Sequence, residues 1–238
     1  MEWLVLSAAA FVASGLAAVA GFGGAAVLLP ALVAVFGVRD AIPILTVAQL
    51  VGNGSRVWLN RRELRAPVVG WFALGAVPAA LAGGLLFATA PLGWLHRLIG
   101  AFLLFTVAWR RLRPRQRPRL PLRAFAPIGA GASFLSALVG SVGPLMAPFF
   151  LAYGLMKGAY IGTEALATVV MHVTKLVAYG GTAILTVRSA LIGLALAPLM
   201  IGGTVAGKRL LDRLPEHVFV LVIEGVLLGA GLWFLLLD

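Results

Sequence analysis

Gln49, Asn53, Arg56 and Asn60 recur every three or four residues in an otherwise apolar stretch, and Glu164, Thr168, His172 and Lys175 do the same in another. This spacing puts each set on one face of a helix. The two faces are also equivalent: an offset of 119 residues carries Gln49 onto Thr168, Asn53 onto His172 and Arg56 onto Lys175. Amide, hydroxyl, imidazole and cationic groups in such a stripe can hold an anion and pass a proton. They do not assemble a hydrolase, because His96, His172 and His217 are scattered, there is no HExxH, and no two carboxylates share a helix face. The chain has no cysteine, which removes disulfides and thiolate metal sites. No catalytic residue, metal or cofactor is expected.

Ionisable groups inside a membrane are costly and point first to a pathway. Each also has a plainer reading. Arg56 suits a substrate cation or the first of the interfacial arginines that fix topology. Lys175 lies about four residues inside the apparent end of its span at Tyr179, where the following GGTAIL leaves room to snorkel outward. His172, one turn from Lys175, suits proton handling or a packed, hydrogen-bonded core position. Glu164 suits proton coupling or simple pairing with a cation, and Glu224 has no counterpart in the first half.

The elements that carry these stripes follow from composition. Of 238 residues, 61% are hydrophobic and 11% charged, and the mean hydropathy is +1.03. This is the membrane class, with one membrane domain as the default. A helical span needs ~20 apolar residues. Residues 3–38 carry no charge, too long a run for one helix and short for two, and Gly21, Gly23, Gly24 and Pro30 interrupt it. A cleaved signal peptide would compete for residues 4–20, but Glu2 and the lack of Lys or Arg beside it give the wrong leading charge. Further apolar segments run at about 41–59, 67–91, 94–109, 124–156, 158–179, 189–207 and 218–237. GSVGPLMAPFF, residues 140–150, opens the second half as GFGGAAVLLPAL opens the first, and Gly140 and Gly143 match Gly21 and Gly24 at the same offset. The chain reads as a tandem repeat, residues 1–109 and 124–238, joined by a linker at 110–123 with seven arginines and three prolines. Such a juxtamembrane cluster is a topology determinant rather than a nucleic-acid site.

Basic residues at 56–65, 110–123 and 208–213 belong on the cytoplasmic side, and the uncharged 88–93 on the outer side. Both termini then lie outside, and the halves are inverted. Each glycine-broken run must be a hairpin that begins and ends on one side, followed by three crossings. Backbone that leaves helical geometry in lipid must be satisfied by protein or a wet cavity. Glycine permits the turn. The helices that restart after Gly24 and after Gly143 would then aim their free N–H groups and positive dipole ends at the protein centre from opposite sides, which favours an anion. Close helix packing is the alternative use of these glycines.

These paired motifs, GFGG and GSVG, each followed by a proline at Pro30 and Pro148, with the matched turns GVRDAI and GLMKGA and a basic linker between membrane halves, resemble the TauE/SafE sulfite exporter family over nearly the whole chain. The resemblance implies movement of sulfite, or a related sulfur oxyanion or organosulfonate, across the cytoplasmic membrane of a prokaryote, with proton-coupled export as the expected mode. The expected fold is an all-α polytopic membrane protein of two inverted repeats. The expected partners are a small anion and the lipid bilayer; a homodimer is compatible with this reading, and a passive anion channel or a membrane protein of non-transport function is the alternative. The substrate would meet Gly21, Gly23, Gly24, Gln49, Asn53, Arg56, Gly140, Gly143, Thr168, His172 and Lys175, with Glu164 and His172 as proton carriers.

Overall fold

The computed structural model describes residues 2–20, 24–112 and 120–210, together with residues 228, 229, 232, 235 and 236. Gly21, Gly23, Glu224 and most of the last apolar segment lie outside the described residues. The described residues form helices joined by short turns: α1 (Glu2–Ala20), α2 (Gly24–Leu59), α3 (Ala66–Thr89), α4 (Leu92–Leu112), a 3-10 turn (Leu122–Ala124), α5 (Phe125–Val139), α6 (Gly143–Ala152), α7 (Lys157–Gly181), α8 (Val187–Ala195) and α9 (Ala197–Leu210). Six helical stretches among the described residues are long and apolar enough to cross a bilayer. The protein is an all-α polytopic membrane protein.

α2 consists of two limbs. Gly37 adopts φ 73°, ψ 164°, a backbone region that is essentially reserved for glycine, and nothing lies within 4 Å of where its Cβ would be. The kink is therefore a matter of backbone conformation and not of crowding. It separates a short limb that starts at Gly24 from a longer one that ends at Leu59. In the second half Gly140, with φ 86°, ends α5, and α6 restarts at Gly143. The apolar segment expected at 189–207 lies in one membrane-length stretch, Val187–Arg209, in which Leu196 alone separates α8 from α9. Pro198, in the first turn of α9, has no N–H for the carbonyl of Leu194, and its ring crowds that carbonyl.

The bounds repeat at the offset of 119: α1 falls on α5, the first limb of α2 on α6, its second limb on α7, and α3 on α8 with α9. The two most extensive helix contacts, α3 with α5 and α1 with α9, are one contact made twice under this exchange. Both need glycine. A Cβ on Gly75 would strike the Ala126 carbonyl, and one on Gly203 the Phe11 carbonyl, so the backbones touch as in small-residue membrane interfaces.

α2 and α7 pack against each other, and their ends fix the register that makes the stripes face. The Asn60 amide donates to the Arg56 carbonyl at 2.8 Å. The Arg65 N–H reaches the Thr163 hydroxyl at 3.1 Å, and the Glu63 carboxylate lies against Gly158 at the start of α7. Where the second limb of α2 begins, Arg39 donates to the carbonyls of Phe87 at 2.9 Å and Ala90 at 2.7 Å. It thereby satisfies carbonyls left free at the end of α3.

Candidate functional site

The two stripes meet. Gln49, Asn53 and Arg56 of α2 and Glu164, Thr168 and His172 of α7 are all buried, and together they line a cavity of about 20 Å³, room for about one water. Gly24 and Gly143, the first residues of α2 and α6, form part of its wall with Ala17 and Ser141. The starts of α2 and α6 and both polar helices thus contribute to one small space.

Arg56 is the hub. One guanidinium nitrogen donates to the Ala17 carbonyl at 3.3 Å and to Glu164 Oε2 at 3.2 Å. The other donates to Asn53 Oδ1, whose amide nitrogen is held by the Gln49 carbonyl at 2.8 Å. The second carboxylate oxygen of Glu164 accepts from the Thr168 hydroxyl at 3.1 Å. A buried ion pair offsets its desolvation only when such extra hydrogen bonds complete both partners. His172 contributes a ring nitrogen, Nδ1, that is buried and has no hydrogen-bond partner among the described residues.

The helix starts suit an anion as well. The residue that precedes α6, Val142, supplies no side-chain cap; Pro144 has no N–H and the N–H groups of Leu145 and Met146 bond to the Val142 carbonyl at 3.0 and 3.2 Å, so the Gly143 N–H is what this helix start can present to an anion. At Gly24, a Cβ would come within 2.8 Å of the Ala13 carbonyl and 3.3 Å of the Gln49 amide nitrogen. Only glycine brings the helix start this close to the stripe.

A family model described as Sulfite exporter TauE/SafE matches residues 6–234. The chain belongs to this family. The family is one of transporters, and anion movement across a membrane is the activity its description names. No curated protein and no solved structure matches the chain significantly. Among the described residues of this TauE/SafE protein, no group of three His, Asp or Glu is placed to hold a metal ion.

Lys175 and Gly140 stand apart from the cavity. Lys175 is fully buried and points inward, its Nζ donating to the Gly140 carbonyl at 3.0 Å and to Ser136 Oγ at 3.2 Å. It does not snorkel to the surface. Ser136 lies 119 residues beyond Ala17, so the two equivalent cations do equivalent work: each binds the end of the first hairpin helix in its own half. Where Arg56 also has Glu164, the corresponding residue for Lys175 is Leu45, whose methyl packs 3.2 Å from the Cβ position of Gly140. Arg56 differs from its neighbour Arg61, which is exposed and stacks on Trp58 at 4.3 Å.

Two contributors escape a reading of spacing alone. Ser141 sits inside the GSVG motif, where a hydroxyl in a turn between helices is a usable signal. Ala17 offers only its carbonyl, and nothing in the identity of an alanine announces that.

Proposed function

We propose that the protein is a proton-coupled secondary transporter that exports sulfite, or a related sulfur oxyanion or organosulfonate, across the cytoplasmic membrane. The single observation that carries this reading is the shared cavity, in which Arg56, two glycine-led helix starts and His172, whose Nδ1 has no partner among the described residues, converge. An oxyanion there would meet a guanidinium and helix N-termini. Asn53, Gln49 and Thr168 would set its orientation, and Glu164 and His172 would carry protons. The halves are read as inverted repeats, residues 1–109 and 124–238, with the linker 110–123 and the loop at Arg61, Arg62 and Arg65 in the cytoplasm and both termini outside. A space for about one water is too small for a four-heavy-atom oxyanion, which favours a carrier that opens by helix movement over a standing pore.

The test is flux of labelled sulfite into liposomes that contain the purified protein. A carrier of this kind accumulates sulfite against its gradient when a proton gradient is imposed. Flux that only runs downhill and ignores the proton gradient would identify a channel.

A further inference from the structure

The cavity poses a problem of charge that its geometry also resolves. Arg56, the cation in the wall, already has an anion: the Glu164 carboxylate at 3.2 Å. Both side chains are buried, at 5% and 2% exposure. The pair is neutral as it stands. Adding a monovalent oxyanion beside it would leave one uncompensated negative charge among buried side chains, in a space with room for about one water, which is among the costliest arrangements a protein interior can hold.

We propose that Glu164 is a tethered stand-in for the substrate, which an incoming oxyanion displaces from Arg56 as Glu164 takes up one proton. This rests on the reading of the cavity as the anion site. The balance is simple. Before binding, the charges are Arg56 positive and Glu164 negative; afterwards they are Arg56 positive, the oxyanion negative and Glu164 a neutral carboxylic acid. The sum is zero in both states, so anion and proton enter together.

Three features support the exchange. Volume is the first, since the empty space holds about one water and an oxyanion needs more, which the departing carboxyl group vacates. Partners are the second. Once neutral, Glu164 retains the Thr168 hydroxyl 3.1 Å away, while Arg56 stays oriented by Asn53 and the Ala17 carbonyl. Third, His172, whose Nδ1 has no hydrogen-bond partner among the described residues, lines the same cavity and offers the newcomer a contact that Glu164 does not use. Among the described residues, the charged and titratable groups that line the cavity beside Glu164 are Arg56 from α2 and His172 from its own helix. Lys175, further along α7, is engaged with Gly140 and Ser136, and Gly24, Ser141 and Gly143 stand in the cavity wall.

The experiment is calorimetric titration of sulfite into the purified full-length protein in detergent, in buffers of different ionisation enthalpy, which counts protons taken up per anion. Comparing wild type with Glu164→Gln cancels the titration of sulfite itself. Wild type should take up about one more proton per sulfite than Glu164→Gln, and its affinity should fall about tenfold more steeply per pH unit, as one linked proton requires. Glu164→Gln should bind at high pH at least tenfold more tightly than wild type. Should the glutamine variant fold poorly, difference infrared spectra of wild type alone decide the matter: sulfite should raise the band of a protonated carboxyl group. Equal proton counts in the two proteins, or no such band, overturn the exchange and leave the cavity reading intact. Sulfite binding that is the same in Arg56→Ala as in wild type overturns the cavity reading, and the exchange with it.

Discussion

Removing Arg56 alone and removing the Arg56–Glu164 pair should have opposite consequences for stability and the same consequence for transport. In Arg56→Ala, the Glu164 carboxylate keeps, among the described residues, the Thr168 hydroxyl and loses the Arg56 counter-charge. Breaking a buried pair by deleting one partner costs about 3–5 kcal/mol. The Asn53 and Ala17 acceptors, each bonded to the guanidinium, add to the loss, since hydrogen bonds to charged groups are worth about 1.5–3 kcal/mol apiece. Part of that sum is recovered as Glu164 takes a proton, so the low end of the first figure, about 3 kcal/mol, is the working expectation. It corresponds to roughly a hundredfold shift of the folding equilibrium. In Arg56→Met with Glu164→Leu, both charges leave and apolar volume replaces them, which is commonly neutral or stabilising. The double variant should therefore melt near or above the wild-type temperature in detergent while moving no sulfite into liposomes. Thermal unfolding and labelled flux measured on the same preparations test both halves of the statement. A double variant that is as unstable as Arg56→Ala would mean that the pair is not the source of the penalty. One that still transports sulfite would remove Arg56 from the substrate pathway.

The charge pattern predicts that single cysteines at Arg62, Pro118 and Asp212 are shielded from an impermeant thiol reagent in intact cells, whereas those at Thr89 and Asp238 are labelled; the absence of native cysteine leaves no background. Labelling of the Pro118 and Asp238 positions from the same side would refute the inverted arrangement. Gly24→Leu and Gly143→Leu should abolish sulfite flux without preventing insertion. Gly24→Ala should be milder but not silent, because its Cβ meets the Ala13 carbonyl at 2.8 Å; wild-type flux in both leucine variants would return these glycines to packing. Lys175→Ala should lower stability by about 1.5–3 kcal/mol through loss of its bond to the Gly140 carbonyl while leaving sulfite affinity near the wild-type level, because Lys175 does not line the cavity. Sulfite affinity that falls about tenfold or more in Lys175→Ala would bring that lysine into the substrate site.

The sequence determined the class of molecule and its internal repetition, because both depend on properties that act along the chain. Apolar runs long enough to cross hydrocarbon need no partner to be recognised, and the 119-residue offset that relates Gly24 to Gly143 and Arg56 to Lys175 is a matter of counting. The helical spacing likewise put Gln49, Asn53 and Arg56 on one face before any fold was known. What the chain could not reveal was which stripe residues share a cavity and which are spent elsewhere. Glu164 and Arg56 are 108 residues apart, and a search for a partner within one turn of the same helix cannot find a contact made between helices. Lys175 is only one turn from His172, yet the glycine turn at Gly140 delivers a carbonyl to its ammonium, while His172 faces the cavity. Helical geometry sets direction around an axis. Only the packing of α2 against α7, with the starts of α2 and α6 beside them, decides what stands in that direction.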